Sequence, residues 1–117
     1  MSHETQIISR KDLHDMIREE ADFTLIEVLS EESYEDFHLP GAINIPGNQL
    51  RERVPEVVPD KSTRIVVYCS SPACTASDKA AVVLKDLGYE NVQDYRGGKE
   101  HWKEGGLPIE EGAVAAV

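Results

Sequence analysis

The chain has 117 residues, enough for one domain with a buried core and short for two. Its formal net charge of −10 excludes proteins that bind nucleic acid or anionic membranes through a basic surface. The sequence contains neither a basic leader before an apolar stretch nor an apolar run of about 18 residues. We therefore expect a cytoplasmic protein, with no membrane and no nucleic acid among its partners.

The first half of the chain alternates between predicted strands and helices. Ser9 with Asp12 resembles a capping box, and Ser30 is suited to cap a second helix that ends at Phe37. In chain order, the predicted elements are an edge strand at 7–8, a helix over about 10–20, a buried strand at 23–29, a short helix over 30–37, a strand at 42–45, a weak helix at about 48–53 and a loop at 55–60.

The second half continues the alternation with clearer signals. Apolar residues recur at helical spacing after Ala76, and Gly88 supplies the stop. The predicted elements are a strand at 65–68, a helix over 76–87, a strand at 91–95 and a short helix over 99–104. This alternation predicts an α/β fold with a mostly parallel sheet, in a single domain over 1–117 whose tail, from about 111, is frayed.

A cysteine stands where the predicted central strand meets its loop. Cys69 ends the apolar strand and opens a polar loop that runs to Thr75, immediately before a helix. Ligands bind beyond the carboxyl ends of parallel strands, and backbone N–H groups converge near a helix N-terminus. Such positions stabilise thiolates, so the sequence predicts a nucleophilic Cys69 with a lowered pKa.

Five segments together carry a family resemblance. They are LIEV at 25–28, HLPGAINIP at 38–46, VVYC at 66–69, LGYENV at 87–92 and GGKEHWKEGGLP at 97–108. In this order they resemble the single-domain rhodanese-like sulfurtransferases. The resemblance implies a three-layer α/β/α domain with a mostly parallel five-stranded sheet. It also implies transfer of sulfane sulfur, from thiosulfate or a persulfide to a thiophilic acceptor, through a persulfide on Cys69 without metal or cofactor.

The partners that this resemblance implies are small sulfur donors and acceptors, or a protein that carries a persulfide. Three positions depart from the family's pattern. Cys74 stands where the family usually has a loop arginine, Ser70 where it often has a basic residue, and Leu29 where an arginine commonly follows the strand. A loop without a cation attracts anionic thiosulfate weakly, which favours low-charge or protein-bound donors.

The loop itself is the predicted anion-binding site. Every residue in it except the proline can donate a backbone N–H, and three hydroxyls add further donors. A loop that curls around the sulfur would form a nest of up to about five amides. The residues concerned are Ser70, Ser71, Pro72, Ala73, Cys74 and Thr75.

Cys74 leaves two interpretations open, a resolving thiol that pairs with Cys69 or a small loop filler. A disulfide needs Cα atoms within about 7 Å, which sequence does not establish. The alternative function is accordingly a non-catalytic rhodanese-like module that binds a partner or senses redox state. Two other sites are disfavoured. Four residues between the cysteines is not a standard zinc spacing, and a phosphatase loop needs an arginine, which is absent between Arg64 and Arg96.

For the remaining candidate residues we predict mainly structural roles. We expect His38 to pin its turn by a hydrogen bond, with a catalytic base as the alternative, and Glu27 to be an inward carboxylate that orders nearby backbone. His14 is expected on a solvated helix face, and His101 is given no role. The aromatic side chains of Tyr34, Phe37 and Trp102 are predicted to lie in the core.

Overall fold

Five short strands, all parallel, form the central sheet in the order β1-β5-β4-β2-β3. The computed structural model describes residues 6–112. The strands are β1 (Gln6–Ile7), β2 (Thr24–Glu27), β3 (Ile43–Asn44), β4 (Ile65–Tyr68) and β5 (Val92–Tyr95). The helices are α1 (Arg10–Arg18), α2 (Glu31–Asp36), α3 (Leu50–Val57), α4 (Ala76–Asp86) and α5 (Gly98–Glu104), with a 3-10 turn over Gly47–Gln49.

Helices cover both faces of the sheet, as expected for a parallel sheet with helical crossovers. All four residues of β4 are buried, and their side chains alternate between two apolar clusters. Ile65 and Val67 pack with α3 and α4, while Val66 and Tyr68 pack with α1 and α5. The predicted α/β/α architecture is confirmed, with a sheet that is entirely parallel.

The two predicted helix caps are present. The Ser9 hydroxyl accepts the N–H of Asp12 at 3.1 Å, and the Ser30 hydroxyl accepts the N–H of Ser33 at 3.2 Å. Each bond satisfies one backbone donor that the first turn of a helix leaves free. These caps fix where α1 and α2 begin.

The prediction of a loop at 55–60 is wrong for residues 55–57, because α3 continues through Pro55 to Val57. Pro55 removes one helical hydrogen bond, yet the helix keeps its course because Leu50 and Val54 are buried against the core. Burial of this apolar face offsets the missing bond, and Val58 then closes the helix with an N–H bond to the Val54 carbonyl.

The end of the described chain is bonded to α2 and to the residues that follow it. His38 and Glu110 form an antiparallel bridge, and the N–H of Gly112 donates to the Glu35 carbonyl at 2.7 Å. The rest of the tail predicted to be frayed, 113–117, lies outside the described residues. None of the helices within 6–112 is long and apolar enough to cross a membrane.

Candidate active site

Cys69 lies at the carboxyl end of β4, the middle strand of the sheet, and is 1% exposed. The start of α5 holds the backbone around it. The N–H of Lys99 donates to the Cys69 carbonyl, and the N–H of Glu100 donates to the Ser70 carbonyl, both at 2.9 Å. The loop therefore begins from a position fixed by two elements, β4 and α5.

A glycine makes this close approach possible. Gly98 has a φ of +78°, and a Cβ there would lie 2.5 Å from the backbone carbon of Ser70 and the nitrogen of Ser71. Any other residue would be strained both in its backbone and against the loop. The second glycine of the Gly97-Gly98 pair is therefore a structural requirement of the loop.

A tight turn brings Cys74 back to Cys69. The N–H of Cys74 donates to the Ser71 carbonyl at 3.0 Å, with Pro72 at the second position of the turn, where its fixed φ fits. The Cys69 thiol lies 3.4 Å from the Cys74 carbonyl oxygen, and the two thiol groups lie close enough to affect each other's pKa. Both cysteines are free in this structure.

Burial raises the pKa of Cys69, and its contact with Cys74 adds to the rise. The hydroxyl and the backbone N–H of Ser77 act in the opposite direction, since both donate to the ionised sulfur. The predicted lowering of this pKa is therefore wrong, because the strand end is more enclosed than its polar flanks suggest.

The amides that were expected around Cys69 gather instead at Cys74. Burial raises the pKa of Cys74, but its bonds with the Cys69 thiol, the Ala76 N–H and Ser70 outweigh that effect and lower it. Ser70 thus serves the second sulfur, while the N–H of Cys74 itself is bonded to the Ser71 carbonyl. The roles predicted for the remaining loop residues, Ser71, Pro72, Ala73 and Thr75, stay predictions.

Sequence reasoning missed two buried polar residues, Ser77, which contacts the Cys69 thiol, and Asp94, which lies beside Ser77. Ser77, in the first turn of α4, is 1% exposed, and its Oγ lies 3.5 Å from the Cys69 Sγ. Asp94 is fully buried on β5, next to Ser77 and Asp78. A carboxylate inside the predicted strand at 91–95 was the sequence signal for Asp94.

A second polar group is buried on the opposite face of the sheet. Lys99 Nζ lies 3.3 Å from Glu27 Oε2 and donates to the carbonyls of Ser33 and Phe37 at 2.6 and 2.8 Å. The Tyr68 hydroxyl donates to Glu27 Oε1 at 2.9 Å. Burial raises the pKa of Glu27, and Lys99 opposes that rise. Glu27 therefore anchors Lys99, whose own N–H holds the Cys69 carbonyl.

His38 and His101 each bond to a nearby segment of the chain. His38 Nδ1 lies 2.7 Å from the Tyr34 carbonyl, and its ring stacks on that of Tyr34 at 3.7 Å. These contacts match the predicted role of pinning a turn. His101, which had no predicted role, bonds through Nδ1 to the Tyr95 hydroxyl at 2.8 Å. Trp102 is fully buried, as predicted.

Residues 9–105 match the family of rhodanese-like domains. The chain belongs to this family. A rhodanese-like domain is what the five sequence segments predicted, and the parallel sheet with Cys69 at its carboxyl edge is consistent with that membership.

Three similar proteins differ in how much of their own length this chain covers. The HTH-type transcriptional regulator Rv0324 of Mycobacterium tuberculosis is 38% identical over 96 residues, which cover 82% of this chain and 41% of that protein. Thiosulfate sulfurtransferase PspE of Escherichia coli is 39% identical over 75 residues, 64% of this chain and 70% of that protein. The crystal structure of the BH2092 protein from Bacillus halodurans has a TM-score of 0.85 at 31% identity and covers 96% of this chain and 82% of that one.

Proposed function

We propose that this rhodanese-like domain is a sulfurtransferase that carries sulfane sulfur as a persulfide on Cys69. The observation that carries the proposal is the thiol at the carboxyl end of the central strand, within reach of the Ser77 hydroxyl and N–H. These two groups favour the ionised sulfur on which nucleophilic attack depends. Similarity to the thiosulfate sulfurtransferase PspE supports the same reaction class.

The reaction proceeds by two displacements at sulfur. The Cys69 thiolate attacks the outer sulfur of the donor, the donor's sulfur–sulfur bond breaks, and its electron pair leaves with the rest of the donor. The acceptor, a thiolate or cyanide, then attacks the outer sulfur of the Cys69 persulfide and releases the Cys69 thiolate. Covalent attachment divides one transfer into two simpler steps.

The charges near the loop favour a donor of low charge. No lysine or arginine lies between Ser70 and Thr75. The cation that α5 brings against the loop, Lys99, is 3% exposed and directs its Nζ to Glu27 and two carbonyls. A small persulfide or a protein persulfide fits these surroundings better than dianionic thiosulfate.

A redox-sensing role is the second candidate, because the two thiols lie close enough to affect each other's pKa. Peroxide would oxidise them to a disulfide, with two protons and two electrons passing to the peroxide to form two waters. On the persulfide form, the Cys74 thiolate would attack the Cys69 Sγ and release hydrosulfide. The lowered pKa of Cys74 suits an attacking thiol. Similarity to a transcriptional regulator supports a sensing role as well.

A cyanide-coupled assay with thiosulfate and with cysteine persulfide tests these proposals. We expect thiocyanate from the wild type, more rapidly with the persulfide, and none from Cys69→Ser; Cys74→Ser is the matched control, which keeps the nucleophile. Thiocyanate formation by Cys69→Ser would overturn the persulfide mechanism. Failure with every donor, together with a Cys69–Cys74 disulfide in non-reducing mass spectrometry after peroxide, would favour the sensor.

A further inference from the structure

A buried carboxyl group lies on the same face of the sheet as the Cys69 thiol. Asp94 pairs with Val67 of β4, and its neighbour two residues earlier, Val92, packs in the same cluster as Val67 and Cys69. Side chains two apart on a strand share a face, so Asp94 and Cys69 both point toward α4. The first turn of α4 covers them and contributes Ser77 between the two.

The Asp94 carboxylate is unusual because neither of its oxygens accepts a hydrogen bond of ordinary geometry within the described part of the chain. Its side chain is also fully buried. The Ser77 hydroxyl and the Asp78 carboxyl nonetheless lie close enough to interact with it. Buried polar groups are almost always bonded, so a carboxylate left this way is suited to receive a proton.

Ser77 connects this carboxylate to the sulfur. The Cys69 thiol donates toward the Ser77 Oγ at 3.5 Å, and the same hydroxyl lies close enough to Asp94 to lower the pKa of that carboxyl. Thiol, hydroxyl and carboxylate therefore form one buried sequence of groups, which we name the Asp94–Ser77–Cys69 relay. It lies beneath α4, away from the Glu27–Lys99 pair on the other face of the sheet.

We propose that Asp94, acting through Ser77, accepts the proton of the Cys69 thiol and so determines when Cys69 becomes a nucleophile. The S–H bond breaks with its electron pair left on sulfur, and the proton passes to the Ser77 oxygen. The hydroxyl proton of Ser77 passes in turn to an Asp94 oxygen. A thiol and a carboxylate become a thiolate and a carboxylic acid, and the net charge is unchanged.

The charges around Asp94 adjust it for this role. Burial raises the pKa of Asp94 to about 7, and the Asp78 carboxyl adds to that rise. Ser77 and Arg96, whose Nε lies 3.9 Å from Asp94 Oδ2, act in the opposite direction. The pKa of Asp78 is lowered by its contact with Asp94 and by Arg96 at 3.1 Å, so the proton that the pair holds below a pH of about 7 is on Asp94.

The other neighbours of Asp94 in the sheet are apolar. β1 places Ile7 beside it, and β4 places Val67 beside it. Among residues 6–112, the charged and titratable groups that face Asp94 are therefore Asp78 on α4, Arg96 after β5, and the Cys69 thiol through Ser77. A base with a pKa near neutrality is better matched to a thiol than an ordinary aspartate with a pKa of about 4.

The sign of the pH dependence follows from these groups. Below a pH of about 7, Asp94 already holds a proton and accepts none, so the Cys69 thiol stays neutral. Above that pH, Asp94 is ionised and the relay operates. We therefore expect the pH–rate profile of Cys69 to contain a rising step near pH 7, which we call the limb. This step lies well below the pH range in which a buried thiol ionises alone.

Alkylation of Cys69 by iodoacetamide between pH 5 and 10, read by mass spectrometry in a Cys74→Ser background, tests the relay. Asp94→Asn and Ser77→Ala should each lose the limb near pH 7 and slow alkylation at pH 7.5 by about tenfold or more. Asp78→Asn is the matched control, because it keeps Asp94 but removes the carboxyl that raises its pKa, so the limb should move to lower pH. A merely structural role of Asp94 would change rates without moving the limb.

The inference rests on the proposed role of Cys69 as the nucleophile, and the experiment separates the two. Alkylation needs no sulfur donor, so a protein that forms no thiocyanate still reports on the relay. Retention of the limb near pH 7 in both Asp94→Asn and Ser77→Ala, in proteins whose circular dichroism matches that of the wild type, would overturn the inference. So would a limb that Asp78→Asn leaves unmoved. Asp94 is thus proposed as a positioning residue that acts through Ser77.

Discussion

At the scale of single residues, the buried pair of Glu27 and Lys99 joins the core to the active loop. The side chain of Lys99 is bonded to Glu27, Ser33 and Phe37, while its backbone N–H holds the Cys69 carbonyl. Such a pair is not necessarily a large source of stability, because both charges have lost their water. Removal of only one member of the pair is different, because the other charge is then left buried without a partner.

We therefore predict that Lys99→Met lowers the free energy of unfolding by about 3–5 kcal/mol, because Glu27 remains buried without its partner. Without Lys99 the pKa of Glu27 rises further, so the folded state keeps a proton that the unfolded state loses. The loss of stability should hence be larger at pH 8 than at pH 5, as measured by urea denaturation.

Lys103→Met is the matched control for this substitution. Lys103 also lies on α5 with its ammonium over the Phe37 ring, at 4.8 Å against 4.6 Å for Lys99, but its side chain is exposed. We expect a change within about 0.5 kcal/mol. The double variant of Lys99→Met with Glu27→Gln should regain part of the loss, and an equal loss with and without Glu27→Gln would contradict the explanation.

At the scale of elements, the contact between α5 and the loop depends on one glycine. Gly98 combines a φ of +78° with the approach to Ser70 and Ser71. Gly106 has a similar φ of +74°, yet a Cβ there would meet nothing within 4 Å. The two positions separate the cost of backbone strain from the cost of a steric clash.

We predict that Gly106→Ala lowers the free energy of unfolding by about 1 kcal/mol, as measured by thermal or urea denaturation. This loss reflects backbone strain alone. Gly98→Ala should cost at least about 2 kcal/mol more, because the added methyl must displace the backbone of the loop. It should also slow sulfur transfer, since the shift reaches the residue after Cys69. Equal losses for the two variants would show that the loop yields without strain.

These elements also show what sequence predicts and what it does not. Local rules located the strand at 65–68, the caps Ser9 and Ser30, and the position of Cys69, because each depends on neighbours a few residues away. The raised pKa of Cys69 and the position of Asp94 beside Ser77 depend on contacts that only the folded sheet creates. Cys69 and Asp94 themselves are 25 positions apart in the sequence. No local pattern reports burial of that kind, and so the relay was not foreseen.

The case of Lys99 has the same cause. A lysine that follows two glycines looks like a surface residue, and its type is rarely buried. Its position is decided by Glu27, which lies 72 residues earlier on β2. The prediction for Glu27 described an inward carboxylate but named no partner, because the pairing exists only once β2 and α5 pack on the same face.

At the scale of the whole molecule, the net charge of −10 acts on every anion that approaches Cys69. Exposed charges interact through water over about 10 Å at 0.1 M salt and over about 30 Å at 0.01 M. The repulsion is therefore strongest at low ionic strength. Loop amides and hydroxyls act only at contact, so they do not cancel this longer-range field.

We predict that iodoacetate alkylates Cys69 more slowly than iodoacetamide at 10 mM salt, and that the gap narrows by about threefold at 150 mM. The two reagents have nearly the same size and differ by one negative charge, so the ratio of their rates isolates the field from access to the buried thiol. Peptide mapping assigns each rate to Cys69 or Cys74. A rate ratio that does not change with salt would mean that local positive charge balances the acidic surface at the site. Thiosulfate would then be a suitable donor after all.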